Sequence, residues 1–112
     1  MKKEKHNPFK YCHCEQIAEK TYSAASLHKI AGILRNASLP TRLQLLLFLY
    51  KEPHCVSDLI SHTKKSQTAI SHHLATLHKS VLVNKKRDGK FIQYFLTPTG
   101  EKFVLSLQVL NN

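Results

Sequence analysis

Apolar residues recur every three or four positions over most of the chain, as they do in amphipathic helices. A first such segment runs from about Glu15 to Arg35, with a stripe of mostly small apolar residues. A second begins at Pro40, which suits the first turn of a helix because its missing N–H has no partner there. Nearly every residue from 45 to 50 is apolar, so we expect this helix to be buried on most sides. A third, shorter helix is predicted from about Val56 to His62.

The segment from Lys65 to Leu77 predicts a fourth helix with two contrasting faces. Ile70, Leu74 and Leu77 fall on one face, and Ser66 is a suitable N-cap. The opposite face carries polar side chains and no acid; its residues are Thr68, His72, Ala75 and Lys79, with Ser71 and Thr76 at the margins. Such a face suits a helix in a DNA groove, whereas an ordinary solvated face usually mixes Glu with Lys. Together with the shorter helix before it, this helix predicts a helix-turn-helix.

After the fourth helix the apolar period changes from 3.6 to 2, which is typical of strands. A strand is predicted to begin at Val81-Leu82-Val83, Asp88-Gly89 is a hairpin turn signal, and residues 91–96 form the returning strand. Pro98 then opens a last helix with one apolar side. The predicted fold is mainly α with a small β-hairpin: a winged helix-turn-helix of order α-α-α-α-β-β-α.

The first and last helices have apolar faces that a domain of this size does not need for its own core. Packing them against a second copy would bury these faces and give a two-fold homodimer. The two recognition helices would then lie about 34 Å apart, the spacing of successive major-groove turns. The alternative is that both helices complete the core of a monomer. Residues 1–14 are polar and basic, and predict a flexible arm before a single domain from 15 to 112.

The chain is strongly basic, with 17 Lys and Arg against seven Asp and Glu and a formal net charge of +10. This favours a polyanionic partner, with an anionic membrane surface as the alternative. The longest apolar run is too short to span a membrane, and the N-terminus has no signal-peptide pattern. With three cysteines, an odd number, we expect free thiols and a cytoplasmic location. No Gly-rich phosphate loop, nucleophile motif or paired carboxylates indicate an enzyme.

Residues 39–96 resemble the arsenic-repressor (ArsR/SmtB) family of winged-helix regulators. The matching pieces are Pro40-Thr41-Arg42-Leu43, Cys55-Val56-Ser57-Asp58-Leu59, Ser66-Gln67-Thr68-Ala69-Ile70-Ser71-His72-His73-Leu74, Leu77, Leu82-Val83, Arg87-Asp88-Gly89-Lys90 and Tyr94-Phe95-Leu96. The resemblance implies a homodimeric repressor that binds double-stranded operator DNA and is released by a metal or an oxidant. Leu39 stands where the family often has Asp before Pro-Thr-Arg, so the usual cap is missing. A winged-helix module that binds RNA or a protein partner is the alternative.

Within this arrangement, DNA contacts can be assigned to the fourth helix and the wing. Gln67 and Thr68 lie in the first turn, where side chains reach base edges, and Ser71 can reach a base or a phosphate. His72 points outward, whereas His73 is turned toward the apolar side and is expected to be packed and hydrogen-bonded. The tyrosine of the returning strand either supports that strand or contacts the DNA backbone, and the wing-tip cations are expected to bind phosphate or enter the minor groove. The predicted DNA contacts are Ser66, Gln67, Thr68, Ser71, His72, Lys79, Lys86, Arg87, Lys90 and Tyr94.

Three thiols form a candidate metal site: Cys12, Cys14 and Cys55. The resemblance implies that a thiolate site can combine a cysteine of the third helix with N-terminal cysteines, although Ser57 here replaces the second cysteine of the family's Cys-Val-Cys pattern. Three thiolates would suit As(III), Cd(II) or Pb(II), and adding His13 would suit Zn(II). A thiol redox switch, or cysteines without a function, are the alternatives. No cofactor is expected to be required for DNA binding.

Overall fold

The computed structural model describes residues 22–111 of the 112-residue chain. Within these residues, helices and strands follow the order α1 Ala24–Ala37, α2 Pro40–Lys51, β1 His54–Cys55, α3 Val56–Thr63, α4 Gln67–Lys79, β2 Val83–Asp88, β3 Phe91–Leu96 and α5 Pro98–Leu110. The strands form one antiparallel sheet in the order β1-β3-β2. The described residues belong to two compact units, with the division between Gly32 and Ile33. No helix of the described part is long and apolar enough to cross a membrane.

The described helix α1 begins at Ala24, whereas the sequence pattern also predicts helix at the two residues before it. Tyr22 and Ser23 are not helical, so a continuous helix from Glu15 to Arg35 is wrong at these two residues; residues 15–21 lie outside the described part. The Oγ of Ser23 accepts a hydrogen bond from the N–H of Ser26 at 3.0 Å, as an N-cap does. Serine competes with the backbone for such bonds, which makes it a better cap than interior residue. At its other end α1 continues to Ala37.

The core of the second unit lies between α2, α3, α4 and α5 and the base of the hairpin. Its buried residues are Ala37, Leu45, Leu46, Leu49, Leu59, Ile70, Leu74, Leu77, Leu82, Val83, Leu96 and Val104. The predicted buried face of α4 is confirmed. The prediction that α2 is buried on most sides is wrong, because Leu47 and Tyr50 are 48% and 41% exposed. Only one stripe of α2 faces the core, so the remaining apolar side chains of this helix stay on the surface.

The sheet differs from the predicted hairpin at both of its edges. A third strand, β1, pairs its two residues His54 and Cys55 with Tyr94 and Gln93 of β3. Two residues are too few to show an alternating pattern, so β1 could not be predicted from periodicity. On the other side, β2 begins at Val83 and not at Val81, because Val81 has a positive φ of 56° in the turn that follows α4.

The hairpin turn consists of Gly89 and Lys90, between the paired residues Asp88 and Phe91. Gly89 has a φ of 65°, and a glycine at the first central position is typical of a type II′ turn. The Asp88-Gly89 signal therefore marked the turn correctly. This two-residue connection places the cationic end of β2 at the tip of the wing.

The start of α5 is fixed against the turn that leads into β2. Thr97 Oγ1 accepts a hydrogen bond from the N–H of Gly100 at 3.0 Å and donates one to the carbonyl of Val81 at 2.6 Å. A Cβ at Gly100 would clash with the carbonyl oxygen of Leu82. Glycine is therefore required here by the close approach of two backbone segments.

Candidate nucleic-acid interface

The turn between α3 and α4 is short and held by local hydrogen bonds. Lys64 adopts the left-handed conformation, and its N–H donates to the carbonyl of Ile60 at 2.7 Å, which ends α3. Ser66 begins α4 as its N-cap, because its Oγ accepts from the N–H of Ala69 at 3.1 Å. The predicted cap is confirmed. The two helices form a helix-turn-helix in which the direction of α4 is set by caps on both sides of the turn.

The predicted contact residues of α4 all lie on its solvent-exposed side. These are Ser66, Gln67, Thr68, Ser71, His72 and Lys79. The helix has no acidic residue in its first turn or elsewhere, so nothing on it offsets the positive end of the helix dipole. The exposed face combines hydroxyl, amide and imidazole groups with a positive potential. This is the chemistry that phosphate oxygens and base edges require of a partner.

The two adjacent histidines of α4 have different surroundings. His72 is exposed, whereas His73 is half-buried and its Nδ1 accepts a hydrogen bond from Nε of Arg42 at 3.0 Å. Burial lowers the pKa of His73, and the neighbouring charges of Arg42, His72 and Lys65 lower the pKa further. The predicted outward position of His72 and the packed, hydrogen-bonded position of His73 are both confirmed.

Arg42 is the residue of this region that the sequence reasoning missed. Its side chain is only 9% exposed, and its Nη1 donates to the carbonyl of Asn36 at 2.9 Å. The Nδ2 of Asn36 in turn donates to Oγ of Ser80, the buried C-cap of α4, at 2.7 Å. A signal was present, because Arg42 precedes the three buried leucines of α2 by three, four and seven residues. That spacing places it on the same buried face.

The wing carries exposed cations on both sides of its tip. Lys86 and Arg87 of β2 and Lys90 of the turn are all solvent-exposed, and Asp88 is the acid between them. Every residue of β2 after Val83 is exposed, so the outer part of this strand extends beyond the core. The predicted cationic wing tip is therefore present in the fold.

Tyr94 and two apolar residues of β3 complete the description of the wing. Tyr94 is half-buried and packs against the core, with His54 and Lys85 as its neighbours on the adjoining strands. This placement is the one that the strand-supporting alternative requires. Phe91 and Ile92 near the tip are 55% and 38% exposed, which the sequence reasoning did not single out.

Of the predicted metal ligands, Cys55 is described, whereas Cys12, His13 and Cys14 lie outside the described residues. Cys55 is half-buried, and its Sγ lies 3.1 Å from Oγ of Ser57. Three side chains on the same segment have donor atoms that bind metals: His54, Asp58 and His62. Nδ1 of His54 is 3.6 Å from a carboxylate oxygen of Asp58, and the rings of His54 and His62 lie 5.6 Å apart. Across residues 22–111, however, no three His, Cys, Asp or Glu side chains form a group that could hold a metal ion.

An open apolar groove of about 360 Å³ lies between α2 and the end of α5. It is lined by Leu43, Leu47, Leu107, Gln108, Leu110 and Asn111. Leu105, Val109 and Leu110 of α5 are 47%, 73% and 80% exposed. The apolar side predicted for α5 is thus only partly used by the core, where Val104 is buried.

Transcriptional regulators of known sequence are similar to well over half of this chain. Residues 40–85 match the family described as bacterial regulatory protein, arsR family. An uncharacterised HTH-type transcriptional regulator from Methanocaldococcus jannaschii is 34% identical over 80 residues, which are 70% of this chain and 90% of that protein. The chain belongs to the ArsR family. The transcriptional activator HlyU of Vibrio cholerae is 33% identical, over 70% of this chain and 73% of its own. The arsenical resistance operon repressor of Staphylococcus xylosus is 34% identical, over 63% and 68%.

Solved structures agree with this assignment. HlyU from Vibrio cholerae has a TM-score of 0.72 and 28% identity, covering 79% of this chain and 97% of that one. The homodimeric winged helix-turn-helix DNA-binding domain of a possible ArsR-family regulator from Mycobacterium bovis has a TM-score of 0.72 and 25% identity, covering 79% and 82%. This ArsR-family protein is therefore a winged-helix, DNA-binding transcriptional regulator and not an enzyme, as the sequence predicted.

Proposed function

We propose that this ArsR-family protein is a homodimeric repressor that binds operator DNA with α4 in the major groove. The observation that carries the proposal is the fully exposed, acid-free face of α4 behind its capped N-terminus. Gln67, Thr68 and Ser71 are the residues proposed to contact base edges or phosphate, and Ser66, His72 and Lys79 flank them on the same side. Amide and hydroxyl groups can donate and accept, so this face suits the mixed donor and acceptor pattern of the major groove.

The wing adds contacts that are independent of sequence. Lys86, Arg87 and Lys90 are proposed to bind phosphate or to enter the minor groove next to the site occupied by α4. Tyr94 is assigned to support of β3, since it packs against the core. In this division of roles α4 sets the sequence preference, and the wing supplies affinity and orientation.

The dimer is proposed from the apolar surface that the core leaves exposed. Leu105, Val109 and Leu110 of α5 lie near the groove between α2 and α5, and Leu34 of α1 is 51% exposed. Exposed apolar surface of this kind is typical of a protein–protein contact. The related domain from Mycobacterium bovis is described as homodimeric. A second copy of this chain is the partner proposed for these surfaces.

The inducer is proposed to be a thiophilic ion bound by Cys55 together with Cys12 and Cys14. Relatives of this chain are named as arsenical resistance operon repressors, which supports As(III); Cd(II), Pb(II) and, with His13, Zn(II) fit the same donor set. Cys55 is half-buried and is the N-cap residue of α3, whose first turn contains the acid Asp58. No group of three such ligands lies within residues 22–111, and the proposed site takes its other ligands from the N-terminal segment.

The central experiment selects binding sites from random DNA duplexes and measures affinity by fluorescence anisotropy. A repressor of the proposed kind enriches a palindromic site and prefers it over unrelated duplexes at fixed salt. Its affinity falls with salt by about 0.9 log units per log salt for each phosphate neutralised. Binding that is salt-sensitive but shows no preferred sequence would contradict the proposal, and tighter binding to single-stranded RNA would support the alternative module.

A further inference from the structure

Arg42 of α2 connects the middle of α4 to the C-terminal end of α1. Its Nε donates to Nδ1 of His73 at 3.0 Å, and its Nη1 donates to the carbonyl of Asn36 at 2.9 Å. The Nδ2 of Asn36 donates to Oγ of Ser80, the C-cap of α4, at 2.7 Å. The inner side of α4 is thus attached at two points to residues 36–42. A shift of α4 relative to α2 would strain or break the hydrogen bond between Arg42 and His73.

The hydrogen bond from Arg42 determines which ring nitrogen of the neutral His73 carries the proton. A ring nitrogen that accepts a hydrogen bond has no proton, so the neutral imidazole of His73 carries its proton on Nε2. The protonated ring has N–H on both nitrogens and has no acceptor for Arg42. The charged and titratable groups that act on His73 are Arg42 from α2, Lys65 from the turn and His72 from α4 itself. None of these groups stabilises an imidazolium.

We propose that Arg42 and His73 are positioning residues, that the neutral His73 holds α4 in its DNA-binding orientation, and that protonation of His73 weakens specific DNA binding. The inference rests on the proposed binding of DNA by α4. Neither side chain belongs to the exposed face, since Arg42 is buried and His73 is half-buried. Their effect on DNA therefore passes through the orientation of the helix.

The direction of the expected pH effect distinguishes the positioning role of His73 from the general attraction between a cationic protein and phosphate. Acidification in general adds positive charge to a protein, which strengthens binding to phosphate. Protonation of His73 acts in the opposite direction, because it removes the acceptor of a buried guanidinium. Burial and neighbouring cations lower the pKa of His73, so this loss belongs to the acid side of the ordinary histidine value of 6.5.

The test compares the wild type with His73→Asn, whose amide oxygen lies near the position of Nδ1, accepts a hydrogen bond and does not titrate. Affinity for a duplex selected by the wild type is measured between pH 8 and 5 at constant ionic strength, with the fold followed by circular dichroism. We expect wild-type affinity to fall by about two- to tenfold relative to His73→Asn, the effect of about one hydrogen bond. His78→Asn, an exposed change on the same helix, should keep the wild-type profile. Parallel profiles for the wild type and His73→Asn would overturn the inference.

A second measurement needs no DNA. Nitrogen-15 spectra of the histidine rings should show the Nε2–H tautomer of His73 and a pKa below 6.5, and the amide signals of α4 should shift with that titration. An Nδ1–H tautomer, or α4 signals that ignore the titration, would overturn the inference even if His73→Asn fails to bind. Loss of sequence preference by the wild type at pH 8 would instead overturn the proposed function and leave the ring measurements standing.

Discussion

Gln67 is the first helical residue of α4, directly after the Ser66 cap, and its side chain is exposed. A glutamine at this place can pair with adenine through two hydrogen bonds. We expect Gln67→Ala to weaken binding to the selected duplex by about 1–3 kcal/mol and to relax the preference at one base position. Anisotropy titrations against single-base variants of the duplex at fixed salt measure both effects. Gln44→Ala, an exposed glutamine of α2, is the matched control and should bind as the wild type does.

Gly100 is a residue whose substitution should change the stability of the fold. In most helices Gly→Ala stabilises by about 1 kcal/mol, because alanine has the higher helix propensity. At Gly100 the new Cβ would clash with the backbone carbonyl of Leu82, which is not a flexible side chain that can move away. We therefore expect Gly100→Ala to lower the free energy of unfolding by about 1–3 kcal/mol.

Urea denaturation followed by circular dichroism tests this expectation, with Gly32→Ala as the control. A Cβ at Gly32 meets no atom of the described residues within 4 Å, so that change should be neutral or stabilising. If Gly100→Ala were as stable as Gly32→Ala, the close approach of α5 to Leu82 would not be required for the fold.

At the scale of elements, the wing is a cationic extension that is separable from the core. Lys86 and Arg87 are exposed and lie beyond the buried base of β2 at Val83. We expect Lys86→Ala and Arg87→Ala to weaken binding to selected and unrelated duplexes alike, because phosphate contacts carry no sequence information. Each change should also reduce the slope of log affinity against log salt by about 0.9. Lys102→Ala, an exposed lysine of α5, should leave the slope unchanged, and a change in sequence preference would argue for base contacts from the wing.

The elements that the sequence predicted are those with several turns of regular pattern. The four helices after residue 40 each bury a periodic face, so periodicity located them, and the Asp88-Gly89 turn signal located the hairpin. The start of α1, the two-residue strand β1 and the start of β2 were decided by single hydrogen bonds or by one positive φ, as at Ser23 and Val81. The exposed face of α4 was predictable too, because the periodicity that identifies the buried face also shows which residues lie opposite it. The spacing of Arg42 indicated its buried position, but its role was not predictable, because that role depends on its partners His73 and Asn36.

At the scale of the whole molecule, the unburied apolar surface of α5 predicts self-association. Leu110 is 80% exposed and lines the groove between α2 and α5. A glutamate at Leu110 would place a charge in the proposed contact between two copies, where desolvation makes it costly. We expect the wild type to elute with twice the 12.8 kDa mass of one chain and Leu110→Glu to be shifted toward the monomer.

Light scattering after gel filtration measures these masses. Phe91→Glu is the matched control, because Phe91 is also an exposed apolar residue, 55% accessible, but lies at the wing tip. It should remain dimeric. A monomeric wild type at micromolar concentration would contradict the proposed dimer. It would support the alternative that the first and last helices complete the core of a monomer.

Cys55 is the described residue on which the proposed release of the dimer from DNA depends. Cys55 lies at the start of α3, the first helix of the helix-turn-helix, so an ion bound there would act on the element that carries α4. We expect Cys55→Ser to abolish release by As(III), Cd(II) or Zn(II) while leaving affinity without the ion unchanged, since serine is close in size and Cys55 is not part of the exposed face of α4. Ser57→Ala, next to the same thiol, removes the neighbouring hydroxyl but no thiolate and should still allow release. Release of Cys55→Ser at wild-type ion concentrations would exclude this cysteine as a ligand, and release by peroxide but by no ion would favour a redox switch.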